Sequence, residues 1–366
     1  MESMEIKLKM LTPLWTGGVD GTMDRIHETG IIGSLRWWYE AVVRGLGGWA
    51  CDPTRLTCSF DSDRYRQAAS KPIHVRLHDA GLCDVCQVFG STSWRRQVRF
   101  DIVDDRTEPT WTSPLGSLNV RPPDRNRGWF LVPGRIGNLV LRLVGDQRDL
   151  SLLASLFLFL ERWGSIGAKP QLGYGIFRIL NGEEVLARAE MKWEVKGNKE
   201  PDQELPDLRR FGFFRCSFEP RLPGWWTRVP GMERIASSVK PIISDHKTIP
   251  LVPALRNEWR FHGWSGSPDD GKWMFGTLKW RHEKETIRVR SKIAISWAYP
   301  RGSGWEVRGW AWLQKPRIAA KVWNLIQDKR GWEKVLGLQG DLETHPKGRW
   351  QELTAESVTQ LLEGTR

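Results

Sequence analysis

The chain reads as an α+β protein built from two tandem ferredoxin-like modules (RRM-like, β-α-β-β-α-β). The second is degenerate and the first carries a Cys-rich insert. Three observations predict this. Residues 1–190 alternate strand-like and helix-like segments in the β-α-β-β-α-β order. The stretch Phe89-Gly-Ser-Thr-Ser-Trp94 is echoed by Phe275-Gly-Thr-Leu-Lys-Trp280, with Arg95-Arg96 or Arg281-His282 following. A Leu-Arg pair, Leu35-Arg36 or Leu255-Arg256, heads a helical segment upstream of each, as expected of a duplication. A length of 366 residues also suffices for two domains with their own cores.

The elements follow in order. Ile6, Leu8 and Met10 alternate with Lys7 and Lys9, a half-buried strand that Thr12-Pro13 ends before a Thr16-Gly17-Gly18 loop. Ile32, Leu35, Tyr39, Val42 and Leu46 mark one face of a helix over 31–46, stopped by Gly47-Gly48. Arg36, Glu40 and Arg44 lie four apart on its other face beside Trp37. That row is either a solvated ion-pair face or a basic strip for a phosphate backbone. Val98–Val103 and Leu139–Val144 are the second and third strands. Ser151 is the expected cap of a helix whose stripe is Leu152, Leu153, Leu156, Phe157 and Leu160, and Tyr174–Leu180 is the last strand. Residues 104–130, rich in Pro, Arg and Trp, read as a protruding loop or hairpin.

Residues 191–209 turn polar and read as a linker or exposed hairpin before the second module, 210–366. There Phe211–Phe218 is a strand. Ile287–Ser296 is a strand with a basic face made by Arg288, Arg290 and Lys292. Trp305–Leu313 is a further strand, and Ile318, Val322, Leu325 and Ile326 line a helix over 315–328. No fourth strand is evident, and 330–366 reads as mostly helical.

Composition narrows the function. The formal net charge is +12 with a pI near 9.6, which fits a polyanionic partner. The 22 Trp interleave with Arg, supplying stacking faces beside charge, although a core or interface place is the commoner one for a single Trp. No apolar run reaches 18 residues, and Glu2, Glu5 and Lys7 stand where a signal peptide would be apolar, so a cytoplasmic protein without a membrane partner is expected. The Gly-rich loop 164–175 contains four glycines and Lys169, but no Gly-Lys-Ser/Thr ending, which excludes a Walker-type nucleotide hydrolase. Its backbone suits either a structural turn or a close approach to RNA.

Four of five cysteines, Cys51, Cys58, Cys83 and Cys86, fall in the insert, residues 49–88. A C-x-x-C pair with two further Cys and no thioredoxin-like pattern points to structural zinc held by four thiolates. His74 or His78 could replace Cys51 or Cys58. Arg36 to Phe89 spans 53 residues and Arg256 to Phe275 spans 19, so the first copy holds about 34 more, which contain these cysteines. Cys216, in a Phe-rich strand, reads as core.

With these residues in view, the chain resembles the RAMP superfamily of CRISPR proteins, and within it the first RAMP subunit of the type III-B (Cmr) RNA-guided effector complex. The motifs that carry the resemblance are Leu11-Thr-Pro-Leu-Trp-Thr-Gly-Gly18, Gly33-Ser-Leu-Arg-Trp-Trp-Tyr39, Cys86-Gln-Val-Phe-Gly-Ser-Thr92 and Gly173-Tyr-Gly-Ile-Phe177. They cover about residues 1–180; the second half matches mainly through Phe275-Gly-Thr277 and Arg290-Ser-Lys292. The resemblance implies a non-catalytic subunit near the 3′ end of the guide RNA, with guide RNA (crRNA), single-stranded target RNA and other RAMP subunits as partners and no small-molecule substrate. Target cleavage in that superfamily belongs to the backbone subunits, through a loop Asp, so Asp20 and Asp24 are expected to be non-catalytic here.

The RNA contacts expected are Trp15, Arg36, Trp37, Arg44, Arg95, Arg96, Lys169, Tyr174, Arg290 and Lys292. The alternatives are a RAMP-type endoribonuclease processing guide precursors, with His27, His74, Asp20 and Asp24, and a purely structural cap subunit. No His pair, carboxylate cluster or nucleophile–base motif in the sequence favours hydrolysis.

Overall fold

The computed structural model describes residues 1–18, 22–55, 58–112, 116–189, 193, 195, 197, 204–282 and 285–364. Among the described residues it is a mixed α/β fold with two larger antiparallel sheets and two separate hairpins.

The first half runs β1 (Glu2–Met10), α1 (Glu28–Gly45), α2 (Ser62–Gln67), α3 (Ile73–Asp79), α4 (Asp84–Phe89), β2 (Arg99–Pro109), β3 (Leu118–Val120), β4 (Trp129–Leu131), β5 (Arg135–Gly145), α5 (Gln147–Trp163), β6 (Phe177–Ile179) and α6 (Gly182–Arg188). Its sheet has the order β2-β5-β1-β6, with Ile6 opposite Leu141 and Leu8 opposite both Leu139 and Ile179. The alternation in β1 is the cause: Met4, Ile6, Leu8 and Met10 are buried, while Lys7 and Lys9 point outward. α5 starts four residues before the expected cap, because the Asp146 carboxylate rather than Ser151 accepts the Asp149 amide. Its residues 149–160 are all buried, since the second half covers the face left open by the first sheet.

The second half runs β7 (Phe211–Phe218), α7 (Ala236–His246), α8 (Val252–Asn257) passing into a π-helical turn (Glu258–Gly263), α9 (Pro268–Phe275), β8 (Thr277–His282), β9 (Glu285–Val289), β10 (Ile293–Ile295), β11 (Tyr299–Arg301), β12 (Gly304–Trp312), α10 (Pro316–Gln327), α11 (Lys329–Leu336), β13 (Asp341–His345) and α12 (Ala355–Glu363). Its sheet order is β10-β12-β7-β13, with β11 also on β12. Taken as second, third, first and fourth strand, this is the order of the first sheet.

Two expectations are corrected. The fourth strand exists as β13, antiparallel to β7 with Thr344 opposite Phe214. Its sequence, Asp-Leu-Glu-Thr-His, lacks the apolar alternation that marks a strand, and Leu342 is its one aliphatic side chain. The strand expected over 287–296 is two pieces. β9 pairs with β8 in a hairpin, and the chain breaks at Arg290–Lys292 before β10 joins the sheet. A Ser291 side chain that accepts the Ile293 amide makes the break.

Residues 104–130 contain a hairpin, as expected, but the described part of it packs on the second half. β2 continues to Pro109, and the β3–β4 hairpin lies on the second half, where Leu118, Val120 and Leu131 share a core with Met232, Val252 and Trp259. The first core in turn takes Phe211, Phe213 and Trp310 from the second half. Cys216 is buried as expected. Much of the 191–209 linker lies outside the described residues. No helix among the described residues is long and apolar enough to cross a membrane.

Candidate metal centre and nucleic-acid interface

The repeated Phe-Gly element is one device used twice. α4 and α9 both end on Phe-Gly, with Gly90 at φ +84° and Gly276 at φ +79°. A side chain at either glycine would meet backbone, at 2.8 Å from the Arg96 nitrogen or 2.6 Å from that of Ser291, so only glycine fits. After each turn the chain loops out and returns to the same place. The Gln97 amide donates to Val88 O at 3.0 Å, and the Lys292 amide to Met274 O at 2.8 Å. An arginine locks each turn, from α1 in the first half and from the π-helical turn after α8 in the second: Arg36 donates to Gly90 O at 2.8 Å and Arg260 to Gly276 O at 2.5 Å. The counterpart of Leu35-Arg36 is therefore Trp259-Arg260, one helical turn beyond Leu255-Arg256. Arg260 and Phe275 are 15 apart against 53 for Arg36 and Phe89, so the first copy holds 38 more residues rather than 34.

Those extra residues build the cysteine cluster. The sulfurs of Cys51, Cys58, Cys83 and Cys86 all lie within 4.8 Å of one another, with Cys51 and Cys86 at 3.6 Å. Tetrahedral zinc with bonds of about 2.3 Å sets its sulfurs roughly 3.8 Å apart, so the set fits that ion. Donors also converge on the sulfurs, as they do on thiolates. Cys58 accepts the Cys83 amide, Cys83 accepts the Cys86 amide, and Cys86 accepts Arg36 Nη2, each at 3.4 Å. Packed against Cys51 and then buried, the Cys58, Cys83 and Cys86 thiols are pushed far above the ordinary cysteine range. The four could all be thiolates only with a cation between them, which is what the spacing allows. His78 stands edge-on to Trp49 at 5.5 Å, and neither it nor His74 joins the cluster, so the four cysteines are the complete set among the described residues.

The row Arg36, Glu40, Arg44 faces inward, beneath the insert. Arg36 Nε lies 3.0 Å from Glu40, and Arg44 is 4% exposed with its guanidinium on Ala50 O, Cys51 O and Pro206 O. Burial raises the Glu40 carboxyl and lowers the Arg44 guanidinium, each against the pull of its partner. Trp37 packs on Phe211 and Trp310 across the two halves. Tyr174 is 1% exposed and donates its hydroxyl to Val132 O. Arg44 and Tyr174 are thus corrected from surface contacts to internal ties, while Arg36 and Trp37 are half-buried and partly engaged by protein.

The remaining expected contacts stay open to solvent. Arg95 is exposed on the turn after Phe89-Gly90, and Arg96 lies 5.7 Å from the Phe100 ring. Lys169 sits at the tip of the Gly-rich loop in the left-handed conformation (φ +62°), its ammonium 3.7 Å from the centre of the Trp15 ring. Burial lowers its pKa. The rest of that loop is held by protein: Trp38 donates to Ser165 O, Arg256 to Gln171 O and Trp297 to Leu172 O, and Ser34 accepts the Gly167 amide. Arg290 is exposed and Lys292 half-buried at the β9–β10 break. His27 pairs with Asp24 at 2.7 Å, Asp20 lies outside the described residues, and the four cysteines are the one potential metal-binding group of three or more His, Cys, Asp or Glu among the described residues.

Trp273, Lys315, Arg260 and Arg308 were not singled out from the sequence, and Arg256 was read only as a mark of the duplication. The first two lacked a motif, while the buried arginines resemble surface ones in a chain this basic.

Comparison with known proteins gives a family likeness for the first half of the chain. No curated protein matches the chain. Solved structures that it resembles include Cmr1 from Pyrococcus furiosus in its apo form, at 13% identity and a TM-score of 0.36 over 86% of this chain and 89% of that one. Two chains of the type III-B Cmr-beta also match over 99% of this chain and 98% of theirs. One is bound to cognate target RNA and AMPPnP in the presence of ssDNA (11% identity, TM-score 0.38), the other to cognate target RNA (12%, 0.35). Likenesses at these scores carry no functional argument. The RAMP superfamily as a family matches residues 7–178, which contain the first sheet, α1, the cysteine insert and the Gly-rich loop. That stretch, just under half of the chain, is similar to the RAMP superfamily.

Proposed function

We propose that the chain is a non-catalytic, RNA-binding RAMP subunit of a type III-B effector, made of two ferredoxin-like modules that each keep the β-α-β-β-α-β order. Its ligands are guide RNA and single-stranded target RNA near the guide 3′ end. The observation that carries the reading is the Lys169–Trp15 pair. A partly desolvated ammonium rests on an indole at the tip of a loop whose other groups are bonded to protein. A phosphate can take the ammonium and a base can take the ring, with little reordering of the backbone. Arg95 and Arg96 add charge at the Phe-Gly turn. Helix α1 braces both loops, through Ser34 to Gly167 and through Arg36 to Gly90.

The test is retention of a single-stranded RNA of mixed sequence by the full chain across a salt series. Binding that weakens with salt, and a drop of roughly tenfold for Lys169→Ala or for Arg95→Ala with Arg96→Ala, is expected. Retention that is absent at low salt, or indifferent to all three residues, removes the reading. Specific cutting of repeat-containing RNA by the chain alone, lost in His27→Ala, would instead establish the endoribonuclease.

We also infer that Cys51, Cys58, Cys83 and Cys86 hold structural zinc. A four-thiolate site leaves no open position, so the ion supplies cross-linking rather than Lewis-acid chemistry. Elemental analysis of protein never exposed to chelator should return about one zinc per chain, and less than about a tenth of an equivalent rejects it.

A further inference from the structure

The second half carries a cation–aromatic constellation away from Lys169. Lys292 follows the β9–β10 break, and its backbone is fixed on both sides: its amide donates to Met274 O and its carbonyl accepts the Trp312 amide, both at 2.8 Å. Its ammonium lies 4.6 Å from the Trp312 ring centre and 5.4 Å from that of Trp273. Lys315 brings a second ammonium to Trp273, at 4.4 Å.

Two cations on one indole repel each other. Burial and then the Lys315 charge lower the Lys292 pKa. Neither lysine makes an ion pair among the described residues, although carboxylates are close by. Asp269 is paired with Lys272 at 3.0 Å, and Asp270 with Arg317 at 2.9 Å and with Ser267. Among the described residues the arrangement therefore leaves an excess of positive charge, with only the already paired Asp270 close enough to feel Lys315.

A separate observation points to the same place. Lys315 is the N-cap of the 12-residue helix α10, which begins on Pro316 without a side-chain cap. The positive end of that helix dipole adds to the two ammonium groups. Arg288 and Arg290, exposed along the chain just before Lys292, extend the charge.

We propose that Lys292 and Lys315, set around Trp273 at the head of α10, bind a phosphodiester of single-stranded RNA, with Trp273 as the aromatic wall of the site. An anion placed between the ammonium groups relieves their repulsion and meets the helix end. A phosphodiester beside a base also uses the indole, which inorganic anions do not. The inference rests on the RNA-binding reading above and adds a second contact, on the other half of the molecule.

The experiment measures affinity of the full chain for a uniform single-stranded RNA across a salt series, for the unaltered chain, Lys315→Gln, Lys292→Met, Trp273→Leu and Lys169→Ala. Lys315 is exposed, so Lys315→Gln cannot act through misfolding. Each lysine variant should lower the slope of log affinity against log salt by about 0.7, the value for one phosphate contact on a single strand. Trp273→Leu should weaken binding roughly tenfold at fixed salt. If the unaltered chain binds and Lys169→Ala weakens it, but Lys315→Gln and Lys292→Met keep the full slope, this second contact is overturned while the RNA-binding reading stands. Lysine variants that impair only association with a protein subunit overturn it equally. No binding by the unaltered chain overturns both.

Discussion

Lys169 and Arg36 stand beside tryptophans in family motifs and carry the same charge, yet their surroundings give them opposite work. The Lys169 ammonium has an indole under it and solvent beyond. Arg36 spends its guanidinium on Glu40, Gly90 O and Cys86 Sγ. Arg36→Ala leaves the Glu40 carboxylate with only Arg44, at 3.7 Å, in a buried place, and releases the Phe-Gly turn. A loss of about 2–4 kcal/mol of stability is expected, read as a lower melting temperature. Lys169→Ala should leave the melting temperature nearly unchanged and act on RNA affinity alone. The reverse pattern would mean that the two roles are exchanged. The sequence could not separate them, because an i,i+4 row of Arg, Glu and Arg has the same spacing on a solvated face as beneath an insert.

At the scale of elements, the insert is a fold that its own apolar residues cannot hold. α2 buries nothing and α3 buries Leu77 alone, while α4 is buried throughout. Metal removal should therefore melt α2 and α3 and leave the first sheet standing. Hydrogen exchange on chelator-treated protein should show protection lost over 58–82 and kept in β1 and β5; uniform protection with zinc removed would show that the clip is dispensable. The start of α5 is a second element with a measurable signature. Burial, and then the neighbouring Asp146, push the Asp149 carboxyl up to about 7. Its folded pKa lies above its unfolded one, so the folded state binds the extra proton, and stability falls as pH rises from about 4 to about 7 and is level beyond. Asp149→Asn should then raise the melting temperature at pH 8 by at least about 2 °C and change little at about pH 4, as thermal melts at the two values would show. Apolar periodicity revealed most strands of the first half and the long helices, where one face is buried. It failed at β13, a short strand with one aliphatic residue, and at the β9–β10 break, which depends on one serine side chain. It also missed which helical turn of the duplication carries the arginine, because that is decided by reach to a carbonyl and not by sequence likeness.

The whole molecule is held by exchange between its halves. Phe211, Phe213 and Trp310 complete the first core, and Leu118, Val120, Leu131 and Tyr174 complete the second. The C-terminal end of α5, in the first half, is closed by arginines from the second: Arg308 donates to Glu161 O, Leu160 O and Gly164 O, and Arg215 to Arg162 O. These cations meet the negative end of the helix dipole in a buried place and satisfy carbonyls that the helix cannot. The boundary drawn near residues 191–209 is therefore one of sequence more than of stability. One cooperative unfolding transition is expected for the full chain, with no separate melting of 1–190. Arg308→Met keeps the bulk and removes the donors to Glu161 O and Gly164 O, at a cost of about 1–3 kcal/mol each, while Leu160 O keeps the Gly164 amide. If the halves are coupled as described, this variant should lower the single transition without splitting it, and isolated 1–190 should expose its aromatic face and bind a hydrophobic dye. Two resolved calorimetric transitions in the unaltered chain, or a soluble, dye-silent 1–190 with the melting point of the whole, would show instead that each half is stable alone and that Arg308 only decorates their contact.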